Sequence, residues 1–179
     1  GTVKKTKIAD YKSVRKSGII AIKLDVGDEL DWIKVTSGKE EIMIVSSDGQ
    51  SIRFKEEDVR PMGRASRGVR GMKMKGTDHV VGADVITEKT AGLKLLVLSA
   101  NGLGKKTPIE EYNVQNRGGS GVKTANVTDK TGKLIGTKVI DDSQVADLIC
   151  ISKEGQVIRT PLKDIRTIGR STQGVRIMR

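Results

Sequence analysis

Residues 42–74 read IMIVSSDGQSIRFKEEDVRPMGRASRGVRGMKM, and after a turn residues 80–86 read VVGADVI. Displaced by 53 positions, this skeleton returns twice. Gly49 falls on Gly102 and Gly155, Gly68 on Gly121 and Gly174, and Arg64 on Arg117 and Arg170. A displacement of 48 to 50 the other way brings in a shortened first copy, with Gly1 in the place of Gly49 and Gly18 in the place of Gly68. The chain is four related units in tandem, at approximately 1–36, 41–87, 94–141 and 146–179, and function is to be sought in what the units share.

Each full unit opens with a short apolar run, Ile42 to Val45, Leu95 to Leu98 or Leu148 to Ile151, too short for a buried helix and read as a strand covered on both faces. Asp48-Gly49, Asn101-Gly102 and Glu154-Gly155 follow, dipeptides suited to a tight hairpin. The second strands are then Ser51 to Lys55, Gly104 to Pro108 and Val157 to Pro161, with Thr2 to Lys7 as the copy in the first unit. A loop of about ten residues leads to the next recurring glycine. Third strands are expected at Ile19 to Leu24, Val69 to Lys75, Val122 to Val127 and Val175 to Met178, and fourth strands at Leu30 to Val35, Val80 to Ile86 and Leu134 to Ile140. Four short strands per unit of about 50 residues predict an all-β, propeller-like array of four-stranded antiparallel blades, counted here as 3, 4, 4 and 3 strands. The linkers Ser37 to Glu40, Glu88 to Gly92 and Asp141 to Ser143 are short and polar, so neighbouring blades are expected to pack on one another.

Composition narrows the partner. The 179 residues include 33 Lys and Arg against 22 Asp and Glu, a formal charge of +11, which points to a polyanion. Aromatics are only 2% of the chain, whereas single-stranded nucleic acid is held by stacking on aromatic rings, so duplex backbone is the better target. Cys150 is the sole cysteine, which excludes an intrachain disulfide and suits a reducing, cytoplasmic compartment. No apolar stretch approaches the length of a membrane span, and neither a membrane nor a small-molecule substrate is expected as a partner. The chain begins inside one repeat and stops inside another, as a piece of a longer protein would.

Charge recurs in register. The fourth residue after each hairpin glycine is Lys5, Arg53, Lys106 or Arg159, and the second after each third-strand glycine is Arg70, Lys123 or Arg176, with Ile20 departing in the first unit. The long loops add Arg15, Lys16, Arg60, Arg64, Arg67, Arg117, Arg166 and Arg170. Arranged about an axis, these side chains would form a basic belt. Coating of a solvated surface is the plain alternative, and the acids Asp10, Asp58, Glu111 and Asp164, nine residues after each hairpin glycine, suit the holding of a loop or a neighbouring Arg. The loop glycines, Gly118 and Gly119 above all, either permit a sharp turn or let backbone N–H groups approach phosphate oxygens.

Catalytic signatures fail. Residues 102–107, GLGKKT, lack the glycine that a phosphate-binding P-loop needs five residues before Gly104, where Ser99 stands. One histidine, His79, and one cysteine do not make a zinc site of the usual kind. No metal or cofactor is expected, and a binding domain rather than an enzyme is read.

GTVKKT at 1–6, RKSGIIAIKL at 15–24, VRPMGR at 59–64, RGVRG at 67–71 and GRSTQGV at 169–175 closely resemble the C-terminal domain of the DNA gyrase A subunit, and the likeness runs over essentially the whole chain. The paralogous subunit of topoisomerase IV is the alternative family member, and a protein-interaction propeller with a basic surface is the alternative function. The resemblance implies a β-pinwheel whose blades exchange strands and whose basic rim wraps double-stranded DNA, which aids negative supercoiling by the parent topoisomerase. It implies as partners the rest of gyrase A and the gyrase B subunit. ATP, Mg and the catalytic tyrosine belong to other domains or subunits, so neither Tyr11 nor Tyr112 inherits that role. The family's gyrase box reads QRRGGKG. Residues 115–121, QNRGGSG, are similar, but Asn116 and Ser120 replace two cations, so this is read as a box-like loop of a later blade, with the box itself expected upstream. The DNA-binding residues expected are Lys5, Arg15, Lys16, Arg53, Arg64, Arg67, Arg70, Lys106, Arg117, Gly118, Gly119, Lys123, Arg159, Arg170 and Arg176.

Overall fold

In a computed structural model of the chain, residues 1–87 and 90–178 are described. Glu88 and Lys89, which open the expected linker 88–92, lie outside the described residues. The strands are β1 (Thr2–Val3), β2 (Glu41–Ser46), β3 (Gln50–Lys55), β4 (Val69–Arg70), β5 (Val80–Ile86), β6 (Leu93–Ser99), β7 (Leu103–Pro108), β8 (Val122–Lys123), β9 (Leu134–Asp141), β10 (Asp147–Ile151), β11 (Val157–Pro161) and β12 (Val175–Arg176). Single 3-10 turns at Ile8–Tyr11, Glu56–Asp58, Ile109–Glu111 and Leu162–Asp164 follow each second strand at the same register. The molecule is all-β, and no described helix is long and apolar enough to cross a membrane.

Each hairpin closes where its Asx-Gly or Glu-Gly pair predicts, because Gly49, Gly102 and Gly155 take φ values of +80°, +75° and +82°. Two four-stranded antiparallel sheets result, ordered β5-β2-β3-β8 and β12-β7-β6-β9, with two-stranded sheets β1-β4 and β10-β11 beside them. In three of the four sheets one outer strand comes from the following unit. Thr2 and Val3 pair with Arg70 and Val69, Gln50 and Ser51 with Lys123 and Val122, and Gly104 and Leu103 with Val175 and Arg176. This is the strand exchange that the resemblance implies.

Exchange explains both recurring glycines. The carbonyl of Gly49 accepts the N–H groups of Thr124 and Ala125; that of Gly102 accepts those of Ile177 and Met178, and that of Gly1 those of Gly71 and Met72. A Cβ on Gly49 would lie 2.6 Å from the Ala125 oxygen, and one on Gly121, with φ +72°, would lie 2.1 Å from the Ser51 oxygen. At Gly18, φ is +79° but the space is open, since no earlier hairpin lies against it.

Side-chain alternation divides the core. Met43 and Val45 of β2 pack with Leu95 and Val97 of β6, Ile86, Ile109, Tyr112 and Leu134 between the two large sheets. Ile44, on the opposite face of β2, joins Ile52, Phe54, Val59 and Met72 against the first unit. Leu96 likewise faces Leu162 and Ile165 of the last. The opening strands of the second and third units are therefore covered on both faces, as their continuous apolar runs require.

Four expectations are corrected. The third strands are two residues long rather than four to seven, and the first hairpin copy, expected over 2–7, forms a strand only at Thr2–Val3, with an isolated bridge from Lys5 to Pro61. Ile19 to Leu24 and Leu30 to Val35 form no strand: without a preceding hairpin or an opening strand beside them, their backbone groups have no ladder to join. The first unit consequently contributes one strand instead of three, while the last contributes its expected three, with β12 docked on the sheet of the unit before and β10-β11 left as a two-stranded sheet. Finally, β10 is covered on one face only, with Ile149 and Ile151 exposed and Leu148 packed against the third core cluster.

Gly121→Ala therefore combines positive-φ strain with a backbone overlap and is expected to destabilise the fold by about 3 kcal/mol, against about 1 kcal/mol for Gly18→Ala. Urea denaturation midpoints of the two variants check this, and equal losses would show that the exchanged junction is not the reason for the glycine.

Candidate nucleic-acid interface

The cations in register split into two sets with different environments. On the second strands they are paired with acids, inward in the second and third units and exposed at Arg159 in the last. The Arg53 Nε donates to Glu41 Oε2 at 2.6 Å, and its Nη1 donates to the carbonyls of Ile109 and Tyr112, both at 3.0 Å, leaving Arg53 8% exposed. Lys106 is 2% exposed and its Nζ lies 2.5 Å from Asp142 Oδ1, while Lys94 donates to the other oxygen at 2.5 Å. Hydrogen bonds from Lys106 first and Lys94 second hold the Asp142 carboxyl below its ordinary range. Lys5 is half-buried and donates to the Glu56 carbonyl at 3.0 Å, with the Glu56 carboxylate 3.7 Å away. Arg159 Nε donates to Asp147 Oδ2 at 2.6 Å on the more open last hairpin.

The partner acid is set by register. Met43 faces Arg53 across the hairpin and Ile149 faces Arg159, so Glu41 and Asp147, two residues earlier, are diagonal neighbours on the same sheet face. Arg53 and Lys106 are thus corrected from DNA contacts to internal ion pairs, because a cation on an interior strand must be paired where water does not reach. Lys5 and Arg159 belong to the same paired series.

On the exchanged strands the cations turn outward. Arg70, Lys123 and Arg176 are all exposed, and β4, β8 and β12 are sheet edges. Each of the first two has a loop arginine of the next unit against its backbone: Arg117 Nη1 donates to the Arg70 carbonyl at 3.0 Å, and Arg170 Nη1 to the Lys123 carbonyl at 3.3 Å. Arg64 makes the same contact to the Ile20 carbonyl at 2.8 Å, where the first unit lacks the edge cation. Arg117 also donates through Nε to the Asp58 carbonyl at 2.8 Å, and Arg170 lies 5.8 Å from the centroid of the Tyr112 ring. Two cation pairs, Arg70 with Arg117 and Lys123 with Arg170, therefore repeat at successive strand-exchange junctions.

The remaining expected residues fall beside this series. Gly118 has φ +84° and packs near the Arg70 carbonyl, and Gly119 sits over Ile52. Arg15 and Lys16 are exposed in the first unit. Arg67 is exposed and paired with Asp25 at 2.8 Å. Of the recurring acids, Glu111 Oε2 accepts the backbone N–H of Arg170 at 3.3 Å, so it steadies the loop rather than a guanidinium.

Two residues escaped the sequence reading. The Lys105 ammonium is fully buried and donates to the carbonyls of Gly169 at 2.7 Å and Arg170 at 2.5 Å and to Thr172 Oγ1 at 3.0 Å. Lys4, at the same register, donates to the Arg64 and Ala21 carbonyls. The available signal was a Lys third after the hairpin glycine in units one and three, where Ile52 and Ile158 stand in units two and four. Among the described residues no cluster of His, Cys, Asp and Glu could hold a metal ion.

Comparison with known proteins bears on this surface. Residues 1–37, 40–87, 93–141 and 146–179 match the family described as DNA gyrase C-terminal domain, beta-propeller. The chain is 43% identical to the DNA gyrase A subunit of Mycolicibacterium smegmatis over 99% of its length and 40% identical to that of Salmonella typhimurium over 100%. It spans about a fifth of these relatives, 21% and 20% of their respective lengths. The solved C-terminal domain of DNA topoisomerase IV superposes with a TM-score of 0.90 at 26% identity, covering 99% of this chain and 55% of that one. The solved DNA gyrase A C-terminal domain gives 0.79 at 26% identity, covering 91% and 54%. Matched across all four units, and sharing their β-propeller fold, the chain belongs to the DNA gyrase C-terminal domain family.

Proposed function

We propose that the exchanged edge strands and the loops between them form a track that binds and bends double-stranded DNA without reading its sequence, as a non-catalytic part of a type II topoisomerase of the gyrase A kind. The observation that carries this is the recurrence of the pairs Arg70–Arg117 and Lys123–Arg170 at equivalent junctions, continued by Arg176. The remainder of gyrase A and gyrase B would be its protein partners, with ATP and Mg used elsewhere in the assembly and the whole in the cytoplasm. Three relatives that are DNA gyrase A subunits, 37–43% identical over nearly the whole chain, support the assignment.

Duplex DNA presents one charge per roughly 1.7 Å of axis, and neutralising each phosphate contributes a salt slope near 0.9. Bending a site of 20–30 base pairs by 40–90° costs about 1–6 kcal/mol, beyond the reach of one surface arginine but within that of a repeated series. Single exposed cations at an edge keep their hydration and mobility until a phosphate arrives, so their contribution should be strongly salt-dependent and nearly blind to base sequence.

Fluorescence anisotropy across a salt series is expected to show affinity rising between duplexes of about 15 and 40 base pairs, and the triple variant Arg70→Ala, Lys123→Ala, Arg176→Ala is expected to lower the salt slope by about 2 to 3. Length-independent affinity would remove bending, and an unchanged slope would remove the edge cations.

The inward cations should behave in the opposite way. Arg53→Met leaves Glu41 and two carbonyls without their donor and is expected to cost about 3 kcal/mol of stability. The folded fraction should keep the wild-type salt slope, and a reduced slope would return Arg53 to the DNA-binding set.

A further inference from the structure

Lys105 presents an anomaly. Its ammonium is buried where unit two carries Ile52, and the Ile52 side chain fits beneath the equivalent loop, with Cδ1 3.8 Å from where a Cβ on Gly119 would stand. An apolar residue therefore suffices for packing at this register. Yet Lys105 has three acceptors for its three protons, all in the loop of the following unit: the Gly169 and Arg170 carbonyls and Thr172 Oγ1. Lys4 reaches the carbonyl of Arg64, the residue equivalent to Arg170, and that of Ala21.

Burying a cation where a branched apolar side chain fits disfavours the folded state unless the charge does other work. Burial above all draws Lys105 down to about 8 from 10.5; the Glu111 charge opposes this, and the Arg170 charge adds a smaller push downward. The unfolded chain thus holds this proton more tightly than the folded one. Stability contributed by this group rises as pH climbs from about 8 toward 10.5, and at neutral pH the charged form is a liability.

We propose that Lys105, with Lys4 as its counterpart in the first unit, is a positioning residue that clasps the loop of the next unit and so presents Arg170, or Arg64, to a phosphate backbone. This rests on the duplex-binding reading. At Arg170 both flanking peptide groups are held, the carbonyl by Lys105 and the N–H by Glu111, while the guanidinium lies over Tyr112 and against the Lys123 carbonyl. The side chain leaves a fixed root, so little orientational freedom remains to be lost when a phosphate binds. The loop over residues 115–121 rests on Ile52 instead of a lysine and is held by backbone bonds, Gly118 N–H to the Gly71 carbonyl at 2.6 Å and Lys73 N–H to the Gly119 carbonyl at 2.8 Å, so Arg117 is presented without such a clasp.

The test uses Lys105→Ile, the residue found at this register in units two and four, with Lys105→Met as a second variant should the first fold poorly. Trypsin cleavage after Arg170 is expected to accelerate about tenfold while cleavage after Arg117 stays at the wild-type rate. Affinity for a 40-base-pair duplex is expected to fall about threefold, and the further loss caused by Arg170→Ala should shrink in the Lys105→Ile background, because the arginine is no longer presented. Thermal stability at pH 7 should be equal to or above that of wild type, with the difference moving in favour of wild type as pH rises through 8 to 10. Unchanged cleavage after Arg170 overturns the clasp whatever DNA does. Faster cleavage with the full Arg170→Ala penalty retained overturns its positioning role. Failure of wild type to bind duplex would sink the DNA reading by itself, and the cleavage measurement would still decide whether the clasp exists.

Discussion

One carbonyl oxygen at each of three recurring glycines carries the architecture. Gly1, Gly49 and Gly102 each accept two successive N–H groups from the chain that follows the next unit's third strand. A carbonyl has two lone pairs, and filling both from one neighbouring segment fixes that segment in position and direction. Nothing larger than hydrogen is tolerated at Gly49 or Gly102 because the backbone of the partner lies within van der Waals distance. The hairpin glycine thus serves the turn of its own unit and the docking of the next, and a sheet is completed only when two units are present.

That constraint also sorts the charges. A third strand docked on the hairpin of the unit before becomes a sheet edge, and one face of its two residues meets solvent. The second strands β3 and β7 lie inside their sheets, where long cationic side chains reach acids or carbonyls on neighbouring segments. Lys106 and Lys123 carry the same charge and recur with the same regularity, yet one is paired internally and the other is exposed, because strand exchange gives their strands different neighbours. The loop arginine completes the arrangement by bonding to the backbone of the edge residue, which places two cations side by side at each full junction.

The repeat, the hairpins and the long fourth strands over residues 80–86 and 134–141 were legible because their signals are local: a dipeptide, an apolar run, a shift of 53 positions. The third strands were placed correctly but drawn too long, since pairing ends where the partner hairpin ends, and that partner lies some 70 residues away, as Val122 and Ser51 do. Ile19 to Leu24 has the composition of its sister segments and no partner, and composition alone does not make a strand. In the site, the exposed set Arg70, Lys123 and Arg176 and the loop arginines were legible from register. Arg53 and Lys106 were not, because periodic charge looks alike inside and outside a repeat. For Arg53 the diagonal acid Glu41 was the overlooked clue, visible once the hairpin register is drawn, whereas at Lys106 the same diagonal position holds Lys94 and the acid, Asp142, comes from the linker after the fourth strand. Lys105 was invisible for a different reason: two of its three partners are backbone oxygens, which leave no trace in side-chain identity.

The loop arginines hold the fold and the proposed interface together, and this gives their charge a structural origin. A guanidinium has five donors. Arg117 directs Nη1 to the Arg70 carbonyl and Nε to the Asp58 carbonyl, so two corners of the group are anchored to the preceding unit while the others remain available to solvent. Lysine, with a single compact head, would not bridge those two carbonyls and still offer a planar face outward. The residue that spaces one unit from the next is consequently also the one that aims at the rim. In the proposed track, spacing of the cations is inherited from spacing of the sheets, so on that reading a change that alters how units dock would alter the curve offered to a double helix even with every basic side chain left in place.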